Sequence, residues 1–299
     1  MRNIIAIAGG LGNQMFQYAF SLTLDRQDDT YLNDYLAKHG ISNYGSELER
    51  VFELKMRNQL FDNFLVWFAR KCIVLISVRK GRIFFLLLIK LLRSIGIVIK
   101  SDYLPQLIKL AEKKCYKSIW YGRFQSNHFL VGYEEILKTT FTFNHSLASH
   151  KTQDIVERIT RENSVSLHVR RGDYLSPSNV AVFGNICTLE YYNKAIRHIL
   201  DSVESPIFYI FSDDIPWVEE NLELPNAHFI DWNGGTKSWE DMYLMSLCKH
   251  NIIANSTFSW WGAWLNSYPD KKVIHPPKYV NAEDSKGFFP DDWIDIIGK

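Results

Sequence analysis

Two adjacent arginines at the end of an apolar run are the residues of this chain best suited to do chemistry. Residues 164–174 read SVSLHVRRGDY. The run ends in Arg170, Arg171 and Gly172, and in open α/β sheets ligands bind outside the carboxyl ends of the strands. A guanidinium stays charged at any working pH and grips phosphate oxygens in pairs without a metal. His168 stands two positions before Arg170, so an unbroken strand puts both on one face and Arg171 on the other. Asp173 could brace an arginine or accept a proton from a reacting hydroxyl. The competing reading is a surface pair of arginines beside an ordinary turn.

Three other segments have the same strand-to-loop character. Gly9-Gly10-Leu11-Gly12-Asn13-Gln14 joins glycines, which let a ligand near the backbone, to a helix start whose free N–H groups attract anions. It lacks the Lys-Ser/Thr of a phosphate loop and the spacing of a dinucleotide fingerprint, so it suits a phosphate, a sugar or a tight turn without function. Ser256, Thr257, Phe258 and Ser259 follow the apolar run Ile252–Ala254; they could cap a helix or offer O–H and N–H donors to phosphate and ribose. Asn255 heads a glycosylation sequon there, which a strand-end position in a cytoplasmic chain makes coincidental. Trp260, Trp261 and Trp264 suit a core better than a stacking platform. Asp213 and Asp214, after the run Phe208–Phe211, could hold a hard cation, cap a helix or accept hydrogen bonds from a nucleoside. Three phosphate-friendly strand ends on one sheet are most simply explained by a nucleotide ligand.

The elements that must position these residues follow from pattern and composition. The 299 residues suggest about two domains, and 46% hydrophobic against 22% charged residues excludes a disordered chain. Lys and Arg total 34 against 33 Asp and Glu, which argues against a nucleic-acid partner. Cys72, Cys115, Cys187 and Cys248 form no CxxC pair or Cys/His ligand spacing, which argues against a zinc site and lends no support to a disulfide framework, consistent with a reducing compartment. The start, MRNIIAIAGG, reads as a strand and not as a signal peptide. Strands are expected at Ile4–Ala8, Val165–Val169, Ile207–Phe211, His228–Ile230, Ile252–Ala254 and Val273–Ile274, with helices at Gln14–Arg26, Leu189–Leu200, Trp239–Leu247 and Phe258–Leu265. Strand alternating with helix in the second half predicts a doubly wound parallel sheet. Residues 50–118 read as mostly helical, with Arg79, Lys80, Arg82, Lys90, Arg93 and Lys100 among apolar residues; this is either a membrane-surface helix or the solvated face of a core helix. The stretch Ile83–Ile99 is broken by charges and Gly96 and is too short to span a bilayer. The polar run Asn144–Gln153 divides residues 1–150 from residues 151–299.

Taken together, Gly9–Ala19 (GGLGNQMFQYA), Tyr121–Ser126 (YGRFQS), His168–Tyr174 (HVRRGDY), Phe211–Asp214 (FSDD) and Asn255–Trp261 (NSTFSWW) resemble glycosyltransferase family 11, the α-1,2-fucosyltransferases, and in particular its bacterial members. The resemblance implies a GT-B-like α/β fold, two Rossmann-like doubly wound domains with an interdomain cleft. Residues 1–150 would form the acceptor side and residues 151–299 the GDP-fucose-binding domain. It implies inverting transfer of L-fucose from GDP-β-L-fucose to the 2-hydroxyl of a galactose-terminated glycan, with no cofactor and no obligatory metal. Arg170 would bind the diphosphate, with Arg171 and His168 beside it. Ser256, Thr257, Phe258 and Ser259 would hold phosphate and ribose, Asp213 would meet the nucleoside, and Asn13 and Gln14 would face the sugar. Arg170 and Asp173 are the catalytic candidates, Asp173 chiefly as a brace for Arg171. Residues 45–115 match no motif of the family and would serve acceptor choice. A cytoplasmic enzyme acting on a lipid-linked O-antigen or capsule repeat, peripheral on the inner membrane, fits these features. Two rivals stand beside it: a metal-dependent sugar transferase using Asp213 and Asp214, and a noncatalytic glycan-binding protein built on the tryptophans.

Overall fold

Short buried strands alternating with amphipathic helices build two wholly parallel sheets, one in each of two units, Met1–Thr140 and Phe141–Lys299. The computed structural model describes residues 2–24, 29–42, 44–77, 82–103, 116–282 and 285–296. The first unit runs β1 (Arg2–Ala6), α1 (Leu11–Leu22), β2 (Thr30–Asn33), α2 (Glu47–Phe52), α3 (Leu60–Ser77), α4 (Arg82–Ser94), β3 (Ile97–Lys100), β4 (Lys117–Trp120) and α5 (Glu134–Thr140). Its strand order is β2-β1-β4-β3. The pleat sends Ile4 and Ala6, Ile97 and Ile99, and Ile119 into one core beneath α3 and α4. Asn3 and Trp120 lie on the other face, where Trp120 donates to Asn3 at 3.3 Å and meets Phe20 of α1 edge-on at 5.0 Å.

The second unit runs α6 (His150–Arg161), β5 (Ser164–Val169), α7 (Val180–Phe183), α8 (Leu189–Ser202), β6 (Ile207–Ser212), α9 (Ile215–Asn221), β7 (Ala227–Ile230), α10 (Trp239–Leu247), β8 (His250–Ile252), α11 (Thr257–Leu265), β9 (Val273–His275) and β10 (Ile294–Asp295). Its order, β10-β9-β8-β5-β6-β7, winds both ways from β5. Leu167 sits between Ile210 on one side and Ile252 on the other. One face packs Val165, Leu167 and Ile210 against α8 and α9, and the other packs Tyr209 and Phe211 against α6 and α10. Both sheets thus have the Rossmann-like, doubly wound character expected.

The differences from expectation have local causes. The unit boundary falls at Thr140, before the polar run, because Phe141 packs edge-on against Trp261 at 5.2 Å and His145 reaches Tyr243 at 3.1 Å. Gly9 adopts a left-handed φ of 81°, so β1 stops sooner and α1 starts at Leu11 instead of Gln14; the expected helix end at Arg26 lies outside the described residues. The stretch read as one helix over Ile83–Ile99 is a helix and a strand, separated at Gly96, whose φ is 83°. β2 and β4 were not expected either. Arg79 and Lys80 lie outside the described residues, as does Cys115. Cys72, Cys187 and Cys248 are free thiols. Trp260 and Trp261 are fully buried, and the Trp260 indole donates to the Phe288 carbonyl at 3.0 Å. The tryptophans are core, which removes the platform on which the glycan-binding rival rests.

Candidate functional site

The second sheet reverses its winding between β5 and β8, and both strands run directly into the residues singled out from the sequence. A topological switch of this kind leaves a crevice at the strand ends, where two loops diverge.

β5 is buried to its last residue, Val169, and Arg170 is the first to emerge. Gly172 then bends the chain (φ −30°, ψ −89°) into a single turn over Asp173–Leu175. The bend swings Asp173 back to 2.7 Å from the Arg170 guanidinium. From the end of β6, Asp213 holds the same guanidinium at 3.1 Å and accepts the Arg171 backbone N–H at 2.8 Å. A Cβ at 172 would stand 2.8 Å from an Asp213 carboxylate oxygen, so any larger residue there would push that carboxylate aside. Arg171 turns away. Its Nε donates to Asp214 at 2.9 Å and its guanidinium stacks over Trp217 at 4.1 Å, while Asp214 also caps α9 through the Trp217 N–H at 3.3 Å. Asp173 therefore braces Arg170, not Arg171 as expected, because the bend at Gly172 returns it to the residue three positions back. The brace for Arg171 is Asp214. Asp213, expected at the nucleoside, uses one oxygen on the Arg171 N–H and the other on Arg170. Among the described residues no group of three or more His, Cys, Asp or Glu side chains is arranged to hold a metal.

His168 lies beneath this pair, only 7% exposed, with its ring 6.0 Å from that of Phe258 and, among the described residues, no hydrogen-bond partner for Nδ1. Burial, reinforced by the Arg170 charge, pushes its pKa from 6.5 down to about 4. The imidazole is thus neutral at pH 7, and adds no charge beside the arginines. An unfolded chain takes up a proton below pH 6.5 that the folded chain refuses until about 4, so stability falls as pH drops through that window. NMR of the ring is expected to give a midpoint near 4, and His168→Asn should soften the acid lability. A midpoint near 6.5 would mean a solvated ring.

The loop after β8 completes the crevice. The Tyr174 hydroxyl donates to the Asn255 carbonyl at 3.1 Å, tying the two loops together. The Asn255 amide donates to the Phe183 and Tyr279 carbonyls, each at 3.1 Å, and is 1% exposed, which rules the sequon out as a glycosylation site in the folded protein. Ser256 caps α11, its Oγ accepting the Phe258 N–H at 3.3 Å. Ser256 and Thr257 sit just below the surface and Phe258 is half-buried. Ser259 is 1% exposed and its hydroxyl turns back to the Ser256 carbonyl at 3.5 Å, so it lies inside the helix packing, away from the position expected for a donor contact.

In the first unit the switch falls between β1 and β4. Gln14 does not face a ligand there. It is fully buried, donating to the Gly9 and Gly45 carbonyls at 2.8 and 2.9 Å and accepting the Glu47 and Leu48 N–H groups at 3.0 and 3.3 Å. The earlier start of α1 is the reason: residue 14 is already one turn in, on the buried face. Asn13 is half-buried and accepts from Gln125 at 2.5 Å. Gln17, which carried no role in the sequence reading, accepts the Ala8 N–H at 3.0 Å and donates to the Gly122 carbonyl at 2.9 Å, bridging the loops after β1 and β4. Two amides three residues apart on one helix face were the signal for this pair. The glycine-rich loop is thus held in place from within the first unit by the Gln14 and Gln17 amides.

Comparison with known proteins agrees with these features along the whole chain. The model of glycosyl transferase family 11 matches residues 3–296. The chain is 34% identical to the O-antigen biosynthesis glycosyltransferase WbnK of Escherichia coli, covering 97% of this chain and 99% of that one. It is 31% identical to an alpha-1,2-colitosyltransferase of Escherichia coli, covering 98% of each. It is 27% identical to galactoside alpha-(1,2)-fucosyltransferase 1 of Saimiri boliviensis boliviensis, over 54% of this chain and 48% of that one.

Proposed function

Because the chain belongs to glycosyl transferase family 11, we propose that it transfers L-fucose from GDP-β-L-fucose to the 2-hydroxyl of a galactoside, with inversion and without a metal ion. The α-1,2 linkage in the names of two relatives and the O-antigen context of a third support this reading. The acceptor would be an O-antigen or capsule repeat on the cytoplasmic side of the membrane. The second unit is assigned the donor and the first the acceptor.

The observation that carries the proposal is the Arg170 guanidinium, aimed by Asp213 and Asp173 at the end of β5. As the anomeric C–O bond breaks, negative charge gathers on the departing diphosphate and positive character on the sugar ring. Arg170 and the first N–H groups of α11 take up that charge, a preorganised arrangement that lowers the barrier. Asp173, with its side chain 53% exposed, is the partner a diphosphate displaces, while the more sheltered Asp213 keeps Arg170 in position. Once displaced, Asp173 is the carboxylate available to take the acceptor's proton. Asp213 and Asp214 each bind an arginine, which favours the metal-independent mechanism over the rival in which they ligate a cation.

Thermal melting with GDP, UDP or CMP, each with and without EDTA, tests this. GDP at 100 times its Kd should stabilise the protein by about 2.7 kcal/mol, and EDTA should leave that gain intact. Stabilisation by UDP alone, or its loss in chelator, would overturn the reading. The relative named for colitose favours a second donor sugar. Colitose is fucose without its 3-hydroxyl, and a site that hydrogen-bonds that hydroxyl rejects the deoxy sugar by about 10⁴-fold. Comparing kcat/KM for the two GDP-sugars, with linkage analysis of the product, separates them.

A further inference from the structure

Helices α3 and α4 pack against each other and bury Leu65, Ala69, Ile73 and Ile89 on the first sheet. The outward faces of such helices are ordinarily polar. Here they are not. On α3, Phe61, Phe64, Trp67 and Val74 recur at helical spacing and are 40–55% exposed; on α4, Ile83, Phe84, Leu87 and Leu91 are 58–77% exposed. An apolar surface this continuous is rare on a soluble monomer unless it binds something.

Charge identifies the occupant. Between Asn63 and Ser101 the sequence contains Arg70, Lys71, Arg79, Lys80, Arg82, Lys90, Arg93 and Lys100 and no Asp or Glu, in a chain whose net charge is only +1. Lys71 lies over the Trp67 ring at 5.9 Å, and Lys90 is exposed between Leu87 and Leu91. Docking of this face onto a second copy of itself would bring cations together. Apolar rings interleaved with cations match the acyl boundary and phosphates of an anionic bilayer. Among the described residues no helix is long and apolar enough to cross a membrane, so the match is to its surface.

We propose that the outward face of α3 and α4 rests on an anionic phospholipid surface, with Phe64, Trp67, Leu87 and Leu91 entering the acyl boundary and Lys71 and Lys90 on the phosphates. This does not depend on which sugar or nucleotide the protein uses. Co-sedimentation of the full chain with phosphatidylglycerol or phosphatidylcholine vesicles tests it. Binding is expected to phosphatidylglycerol and to weaken with salt. Since each cation near such a surface contributes about fivefold to partitioning, Lys71→Ala with Lys90→Ala should weaken it at least about tenfold, and Trp67→Glu with Leu87→Glu likewise. Circular dichroism and melting curves check that these surface variants fold, independently of donor binding. Absence of wild-type binding, or equal binding to both vesicles, would overturn the proposal. So would a dimer in sedimentation velocity that Trp67→Glu dissociates, which would assign the face to a second copy.

Discussion

Arg170→Ala is expected to fold normally and to lose at least about 10²–10³-fold in transfer, the usual consequence of removing one preorganised donor from a developing oxyanion. The fold should survive because the side chain is one-third exposed and its ion pairs lie at the rim of the sheet, where such pairs contribute about 0–1 kcal/mol. Asp213 keeps its bond from the Arg171 N–H, so the loop retains an anchor. Arg170→Lys should fall between, since an ammonium keeps the charge but cannot bridge two oxygens as a planar fork does. The check is kcat/KM beside a melting curve. Near-wild-type turnover by a folded Arg170→Ala protein would remove the guanidinium from the mechanism.

Gln14→Glu should have the largest effect on stability, about 3 kcal/mol or more. The change is nearly isosteric, yet it sets a carboxylate oxygen against the Gly9 and Gly45 carbonyls, 2.8 and 2.9 Å from the present nitrogen. Two buried carbonyls lose their donor, each at a cost of about 1–3 kcal/mol. Gln14→Ala should be damaging too, because it strands both carbonyls and the Glu47 and Leu48 N–H groups. Urea melting measures the loss. If Gln14 instead touched the sugar, Gln14→Glu would melt like wild type and alter only KM.

The second unit was largely legible. The β-branched run before Arg170 could only be a strand, and Trp239–Leu247 forms the helix its pattern predicts. Strand ends carrying arginine, paired carboxylates and hydroxyls located the crevice. Spacing could not tell which carboxylate serves which arginine, since that depends on the bend at Gly172 and on neighbours 43 residues away, such as Asp214 beside Arg171. In the first unit, Lys117–Trp120 is too short to show a period of two, and the apolar run through Ile83–Ile99 conceals a change from helix to strand at Gly96. Gln14 misleads for a different reason. A polar residue in a glycine-rich loop resembles a ligand contact, whereas the partners that bury it come from Gly45, Glu47 and Leu48, remote in sequence.

A crystal structure of the protein soaked with GDP measures the central claim most directly. It should show a diphosphate oxygen within hydrogen-bonding distance of the Arg170 guanidinium, Asp173 moved aside, and Asp213 still on Arg170. A diphosphate bound away from the end of β5, or held through magnesium on Asp213 and Asp214, would contradict it.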